Sequence, residues 1–202
     1  MANRSFLLAI LMVAVSFPAL SQVVPEIGHP GKGWPLSVGV AYSTFDTDWN
    51  ETLSGGRISG GTIWADWNFY HLPPLWDGFG IEVEGRDLNY GRTGNDPKIR
   101  QDTVEGGVIY TTHFYRRFHP YAKFLVGDGS LDFKATDANF PNYSHDTRLI
   151  YSPSGGADTR LHESLWLRVN YEYQFWPDFF NHHTMNPRGW DIGLSYDFGG
   201  FR

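Results

Sequence analysis

The chain has 202 residues, of which 17% are aromatic and none is cysteine, and it carries a formal charge of −6. That acidity argues against a nucleic-acid partner held through its phosphates. With no cysteine there are neither disulfides nor thiolate metal sites, so an exported chain of this size must be held by a large core or by a membrane.

Arg4, the apolar run Phe6–Val15 and Ala19-Leu20-Ser21 make the charged start, apolar middle and small-residue cleavage site of a secretory signal. Residues 1–21 are therefore predicted to be removed, leaving a mature chain that begins at Gln22 and, without Arg4, has a charge of −7. No later run is long and apolar enough for a membrane helix. Residues 22–35 are rich in Pro and Gly and read as an irregular lead-in, and residues 36–202 read as one domain.

From Leu36 onward the chain sorts repeatedly into two faces at period two, the signature of strands. The first strand, Leu36–Phe45, sets Leu36, Val38, Val40 and Tyr42 against Ser37, Gly39, Ala41 and Ser43. After a polar loop, Asp46–Arg57, the second runs over Thr62–Tyr70, with Ile63, Ala65, Trp67 and Phe69 against Trp64 and Asp66, and Pro73-Pro74 ends it. The third, Phe79–Tyr90, opposes Phe79, Ile81 and Val83 to Glu82, Glu84 and Arg86. The fourth opposes Val104, Val108 and Tyr110 to Glu105, Gly107, Ile109 and Thr111, and the fifth opposes Ala122, Phe124 and Val126 to Tyr121, Lys123 and Leu125.

The longest predicted loop, Asp128–Asp146, leads to a sixth strand, Leu149–Leu161, with Tyr151, Gly155 and Ala157 against Ser152, Asp158 and Arg160. Pro153 lies inside it and cannot donate to a ladder, so a bulge or register change is expected there. His162-Glu163-Ser164 turns the chain into the seventh strand, Leu165–Trp176. Leu165, Leu167, Val169, Tyr171, Tyr173 and Phe175 line one side and Trp166, Arg168, Asn170, Glu172 and Gln174 the other. Pro177–Gly189 is read as the last loop. The eighth strand, Trp190–Phe198, alternates Trp190, Ile192, Leu194, Tyr196 and Phe198 with Asp191, Gly193, Ser195 and Asp197. Eight strands in an unbroken meander point to a closed barrel without an exposed edge.

Alternation is symmetric and does not say which face looks out. Volume decides, because an eight-stranded barrel has room for its own side chains and little more. The apolar faces carry Trp67, Phe69, Phe79, Tyr110, Phe124, Tyr151, Tyr171, Tyr173, Phe175, Trp190, Tyr196 and Phe198, which would overfill that interior. They contain no ionised side chain, as hydrocarbon requires. The expected fold is therefore all-β, an eight-stranded antiparallel up-and-down transmembrane barrel with longer connections after odd strands and shorter ones after even strands.

Trp190-x-Ile192-x-Leu194-x-Tyr196-x-Phe198, preceded by Leu167-Arg168-Val169-Asn170-Tyr171-Glu172-Tyr173-Gln174, resembles the last two strands of the small eight-stranded outer-membrane barrels. These include the opacity proteins and the transmembrane domain of outer-membrane protein A. The resemblance implies a bacterial outer-membrane location, external loops that meet an extracellular ligand, and a closing strand read by the barrel-assembly machinery through a terminal aromatic, either Phe198 or Phe201. No peptidoglycan-binding domain follows, so cell-wall tethering is not expected.

The inward charges are Asp66, Glu82, Glu84, Arg86, Glu105, Lys123, Asp158, Arg160, Arg168, Glu172 and Asp191. In so narrow an interior they are expected to form a plug of salt bridges, each charge needing a partner, although an ion path or a catalytic nest would use the same residues. Leu167, Val169, Tyr171, Tyr173, Phe175, Trp190, Ile192, Leu194, Tyr196 and Phe198 are expected to face outer-membrane lipid. A lipid hydrolase would need a His, a hydroxyl and an acid at the outer rim, where Ser144-His145-Asp146 is read as ordinary polar loop. His182-His183, without a carboxylate at ligand spacing, reads as solvated loop, and no cofactor, metal or catalytic residue is assigned. Trp176, Phe179 and Phe180 read either as an anchoring belt at headgroup level or as a packed loop. The expected role is structural or in surface interaction through the loops, with a membrane-embedded lipid-modifying enzyme or a narrow channel as alternatives.

Overall fold

In the computed structural model the strands alternate apolar-out and polar-in around a closed ring. The structure describes residues 35–48, 57–69, 78–90, 99–112, 117–133, 145–179 and 183–198. The predicted signal, the lead-in up to residue 34, and Phe180, His182 and Phe201 lie outside them.

Eight strands close the barrel: β1 (Leu36–Asp46), β2 (Arg57–Asn68), β3 (Phe79–Tyr90), β4 (Ile99–Thr111), β5 (Phe118–Phe133), β6 (His145–Arg160), β7 (Leu165–Tyr173) and β10 (Arg188–Asp197). Each pairs antiparallel with its neighbours, and β1 pairs with β10 to complete the ring. A path of ladder partners runs from Pro35, which accepts from the Asn68 amide, through Gly80, Ile109, Lys123, Ser154, Glu172 and Gly189 to Phe45. It returns to the first strand ten residues further on, a stagger that goes with a strand tilt of roughly 40°.

The strands reach further toward the loop end than periodicity suggested. β4 starts at Ile99, β5 runs to Phe133 and β6 starts at His145, so both ends of the predicted loop Asp128–Asp146 are ladder. The predicted loop Pro177–Gly189 also contains structure. β8 (Trp176–Phe179) and β9 (His183–Met185) form a separate two-stranded sheet between β7 and β10. At the opposite end, β6 and β7 are joined through residues 161–164, where the Leu165 amide donates to the His162 carbonyl.

Pro153 causes neither a bulge nor a register change. The β5–β6 ladder passes through Phe124–Pro153 without a shift. On the β7 side the pairs Tyr151–Phe175 and Ser154–Glu172 share one register, and regular pairing lapses between them. The missing amide removes ladder contact with β7 and leaves the alignment intact.

Inside, three layers are stacked. The middle is charged. Toward the loop end the same inward parity carries apolar side chains, including the buried cluster Phe45, Ile58 and Leu88 and the buried Ile99, Leu131, Ile150 and Trp176. Toward the turn end lie Trp64, Tyr121 and Trp166, all buried, with the His119 and Trp166 rings 4.7 Å apart. Two indoles are seated on glycines: a Cβ on Gly39 would stand 2.1 Å from Trp64, and one on Gly129 would stand 2.5 Å from Trp176. Gly39→Val should therefore push the Trp64 ring off its seat and lower stability by about 1–3 kcal/mol in a denaturant titration in micelles. Part of that loss should return when Trp64→Leu is added. Equal stability of Gly39→Val and the parent would show that the seat is not filled.

Candidate functional site

The charged layer exists because β2–β7 and β10 each turn alternate residues into one narrow space. Two guanidiniums and one ammonium organise it. Arg168, on β7, donates to Asp66 at 2.7 Å, to Glu82 at 2.9 Å, and to Asp158 at 2.8 and 2.9 Å. Its guanidinium carbon lies 4.8 Å from the Trp64 ring centre and 4.7 Å from that of Tyr121, so aromatic faces cover what the carboxylates leave open. Lys123, on β5, reaches Glu82 at 2.5 Å and Glu84 at 2.6 Å.

Arg86, on β3, bonds Glu84, spans the lumen to Glu172 at 2.7 and 3.0 Å, approaches Asp191 at 3.5 Å and donates through Nε to Thr62 at 3.0 Å. The Phe45 ring lies against it at 4.3 Å. Glu82 and Glu84 are shared acceptors, so a continuous chain of ion pairs crosses the lumen from Asp158 to Asp191. Neutral groups complete the wiring: Asn170 donates to Asp191 at 2.9 Å and accepts from the Tyr121 hydroxyl at 3.1 Å, and Gln174 donates to Glu172 at 2.8 Å. Removing either partner of so deeply buried a pair leaves an uncompensated charge, so each link of the chain depends on its neighbours.

Two residues of the expected plug stand apart from the chain. Arg160 shares the inward parity but lies at the turn end, where its Nε donates to the His162 carbonyl at 3.4 Å. The strand ends there, so its long side chain turns to the rim. Glu105 is 2% exposed and both of its carboxylate oxygens lack a hydrogen-bond partner.

Trp176 is fully buried, its indole donating to Gln174 at 3.0 Å, and so does not stand in an outer belt. Strand parity simply continues past Gln174 into the apolar inner layer. Residues missed in sequence include Thr62, Phe45, Trp64 and Tyr121, and the available signal was parity, since each lies on the same inward face as the charges.

On the outside, Val169, Tyr171, Tyr173, Phe175, Trp190, Ile192, Leu194, Tyr196 and Phe198 are exposed and Leu167 is half-buried beside Leu194. Aromatic contacts bracket this band: Tyr171 and Trp190 at 4.7 Å on the loop side, Tyr196 with Phe198 at 5.0 Å and Phe79 with Tyr110 at 4.9 Å on the turn side. Beyond it, toward the loops, the same outward parity of β3–β6 becomes polar. Asp87, Arg100 and Asp102 form surface ion pairs at 3.1 Å. His145 bonds Asp132 through Nδ1 and faces the Thr147 hydroxyl through Nε2 at 3.2 Å. Ser144 lies outside the described residues, and the side chains of Phe179 and His183 are likewise not described.

A closed eight-stranded barrel with a polar, filled interior and a continuous outward apolar band defines a membrane-spanning barrel. The chain belongs to the outer membrane protein beta-barrel domain family, whose model matches residues 6–198, and it is a protein of the bacterial outer membrane. Among solved structures it is similar to Ail, the attachment invasion locus protein of Yersinia pestis, with a TM-score of 0.59 and 15% identity over 83% of this chain and 100% of that one. Neisserial surface protein A gives a TM-score of 0.62 at 10% identity, covering 84% and 100%. OprG from Pseudomonas aeruginosa gives 0.57 at 15%, covering 84% and 98%. At these identities the likeness is one of fold. No curated protein sequence matches the chain.

The ion chain makes a coupled prediction. Arg168→Met strands Asp66 and Asp158 in the lumen, leaves Glu82 with Lys123 alone, and should cost on the order of 3–5 kcal/mol in urea unfolding from lipid. Adding Asp66→Asn should recover part of it. Strictly additive effects of the two substitutions would contradict the pairing.

Proposed function

We propose that this barrel acts as a structural and surface-interaction element of the outer membrane, presenting its loop end to the exterior, and not as a conduit. Its outward apolar band meets outer-membrane lipid, residues 1–21 direct export, and the closing strand is what the barrel-assembly machinery engages. The observation that carries this reading is the filled lumen. A cross-linked ion chain occupies its middle, and an apolar layer of Phe45, Ile58, Leu88 and Trp176 lies over it on the loop side. A solute or ion entering from outside would have to displace both. The polar outward faces of β3–β6, rising past the apolar band, support the surface role, because they put ladder residues beyond the lipid, where an extracellular ligand can reach them.

A second reading, a lipid esterase, draws on the Asp132–His145–Thr147 chain, whose order of carboxylate, imidazole and hydroxyl is that of a nucleophile relay. His145 and Asp132 have side chains 58% and 46% exposed, so solvent screens the pair and leaves the imidazole weakly held. The surface role is therefore preferred.

In planar bilayers the purified protein should show no steady open-channel conductance, and expression should leave the ester-linked acyl chains of outer-leaflet lipid unchanged. Reproducible ohmic conductance in the parent protein would overturn the closed reading. Acyl loss that disappears in His145→Ala would establish the esterase instead.

A further inference from the structure

Among the described residues, the middle of the lumen holds seven carboxylates, Asp66, Glu82, Glu84, Glu105, Asp158, Glu172 and Asp191, while the cations at their level and toward the turn end are Arg86, Lys123, Arg168 and Arg160. Six of the acids take part in the ion chain. Glu105 does not, although it is as deeply buried as they are. Burying an ionised carboxylate outside an ion pair is costly, so its position calls for more positive charge than Arg86 and Lys123, already engaged with other acids, bring to it.

The surroundings of Glu105 say which kind. One carboxylate oxygen from each of Glu84, Glu105 and Glu172 falls within a cluster whose members all lie within 4.8 Å of one another. Opposite Glu105 in the ladder is Gly127, which has no side chain, so Glu105 looks across it to β6. There Ser152, two residues from Gly127's partner Ile150, is fully buried, and its hydroxyl lies beside the Glu105 carboxylate without a hydrogen bond of ordinary geometry. The Thr103 hydroxyl, on the same inward face of β4, is likewise buried and unpartnered.

We propose that Glu84, Glu105 and Glu172, with the Ser152 hydroxyl, form a buried site for a calcium ion inside the barrel. The ligand set is entirely oxygen, which selects a hard cation over zinc or copper. Calcium sits about 2.3–2.6 Å from its ligands and so touches oxygens up to about 5 Å apart in flexible geometry, whereas magnesium demands a near-ideal octahedron and gives up its waters reluctantly, which a carboxylate cage drawn from three strands suits less well. Glu84 and Glu172 keep their bonds to Arg86 and Lys123 while ligating, since each carboxylate oxygen has two acceptor directions. The two positive charges of the ion reduce the surplus of acid in the lumen and supply Glu105 with its missing partner.

The test uses the mature chain, unfolded and refolded into micelles with calcium or with chelator, then desalted. The parent refolded with calcium should retain about one calcium per chain by elemental analysis and melt at a higher temperature than the chelator-refolded sample. Glu105→Gln should fold, hold no calcium and melt at the same temperature in both conditions. Ser152→Ala should retain calcium with an affinity lowered several-fold. Parent protein without bound calcium, or equal retention by the parent and Glu105→Gln, would overturn the site. A calcium-free parent whose melting temperature rises as the pH is lowered would assign the missing positive charge to a proton.

Discussion

The constraint on which the structure depends is the width of an eight-stranded barrel. An interior that narrow has room for one layer of side chains from each wall, and whatever points inward must find its partner among the others. Arg86 reaches across to Glu172, Arg168 reaches across to Asp66 and Glu82, and Lys123 joins the two systems through Glu82 and Glu84. Strands far apart in sequence are thereby tied by charge as well as by their ladders. Replacing either guanidinium would affect several strands at once, because each serves at least three carboxylates.

The same narrowness explains why the layers differ along the axis. Ion pairs are strong where water is excluded, and the aromatic rings of Phe45, Trp64 and Tyr121 cover the guanidinium faces that carboxylates cannot. Above the ion chain, Ile58, Leu88, Leu131 and Trp176 separate it from the loop end, and below it Trp166 and His119 close the turn end. Outside the wall the order is reversed, with an apolar band between two aromatic girdles, and polar side chains on β3–β6 only where the strands pass beyond that band. The position of a residue in the ladder thus sets both its height and the solvent it meets.

Much of this was legible from alternation. The strand count, the antiparallel closure and the inward set around Arg168 and Glu172 follow from period two together with the volume of the twelve rings. What alternation could not give was the point at which a face changes character. Phe45, Leu88, Ile150 and Trp176 keep inward parity but are apolar, so alternation alone leaves open whether Trp176 stands in an outer belt or packs inward, and the polar outward residues of β4, β5 and β6 near the loop end read as loop where they are ladder. Pro153 misled in another way: a lost amide signals a broken ladder, yet strong pairing with β5 on the far side held the register. Arg160 shows that parity fixes a face without fixing a depth, and Glu105 that an inward acid can be buried outside the ion chain.

Odd and even positions of one strand meet different media, lipid outside and a filled interior within. The chain has no cysteine, so single spin labels can be placed without background at Leu194, which is 44% exposed on the outward face, and at Ser195, which is buried in the lumen. In reconstituted bilayers, collision with lipid-dissolved oxygen should be frequent at 194 and rare at 195, and a water-soluble nickel chelate should reach neither. Greater oxygen access at 195 than at 194, or free access of the chelate to 195, would contradict the account.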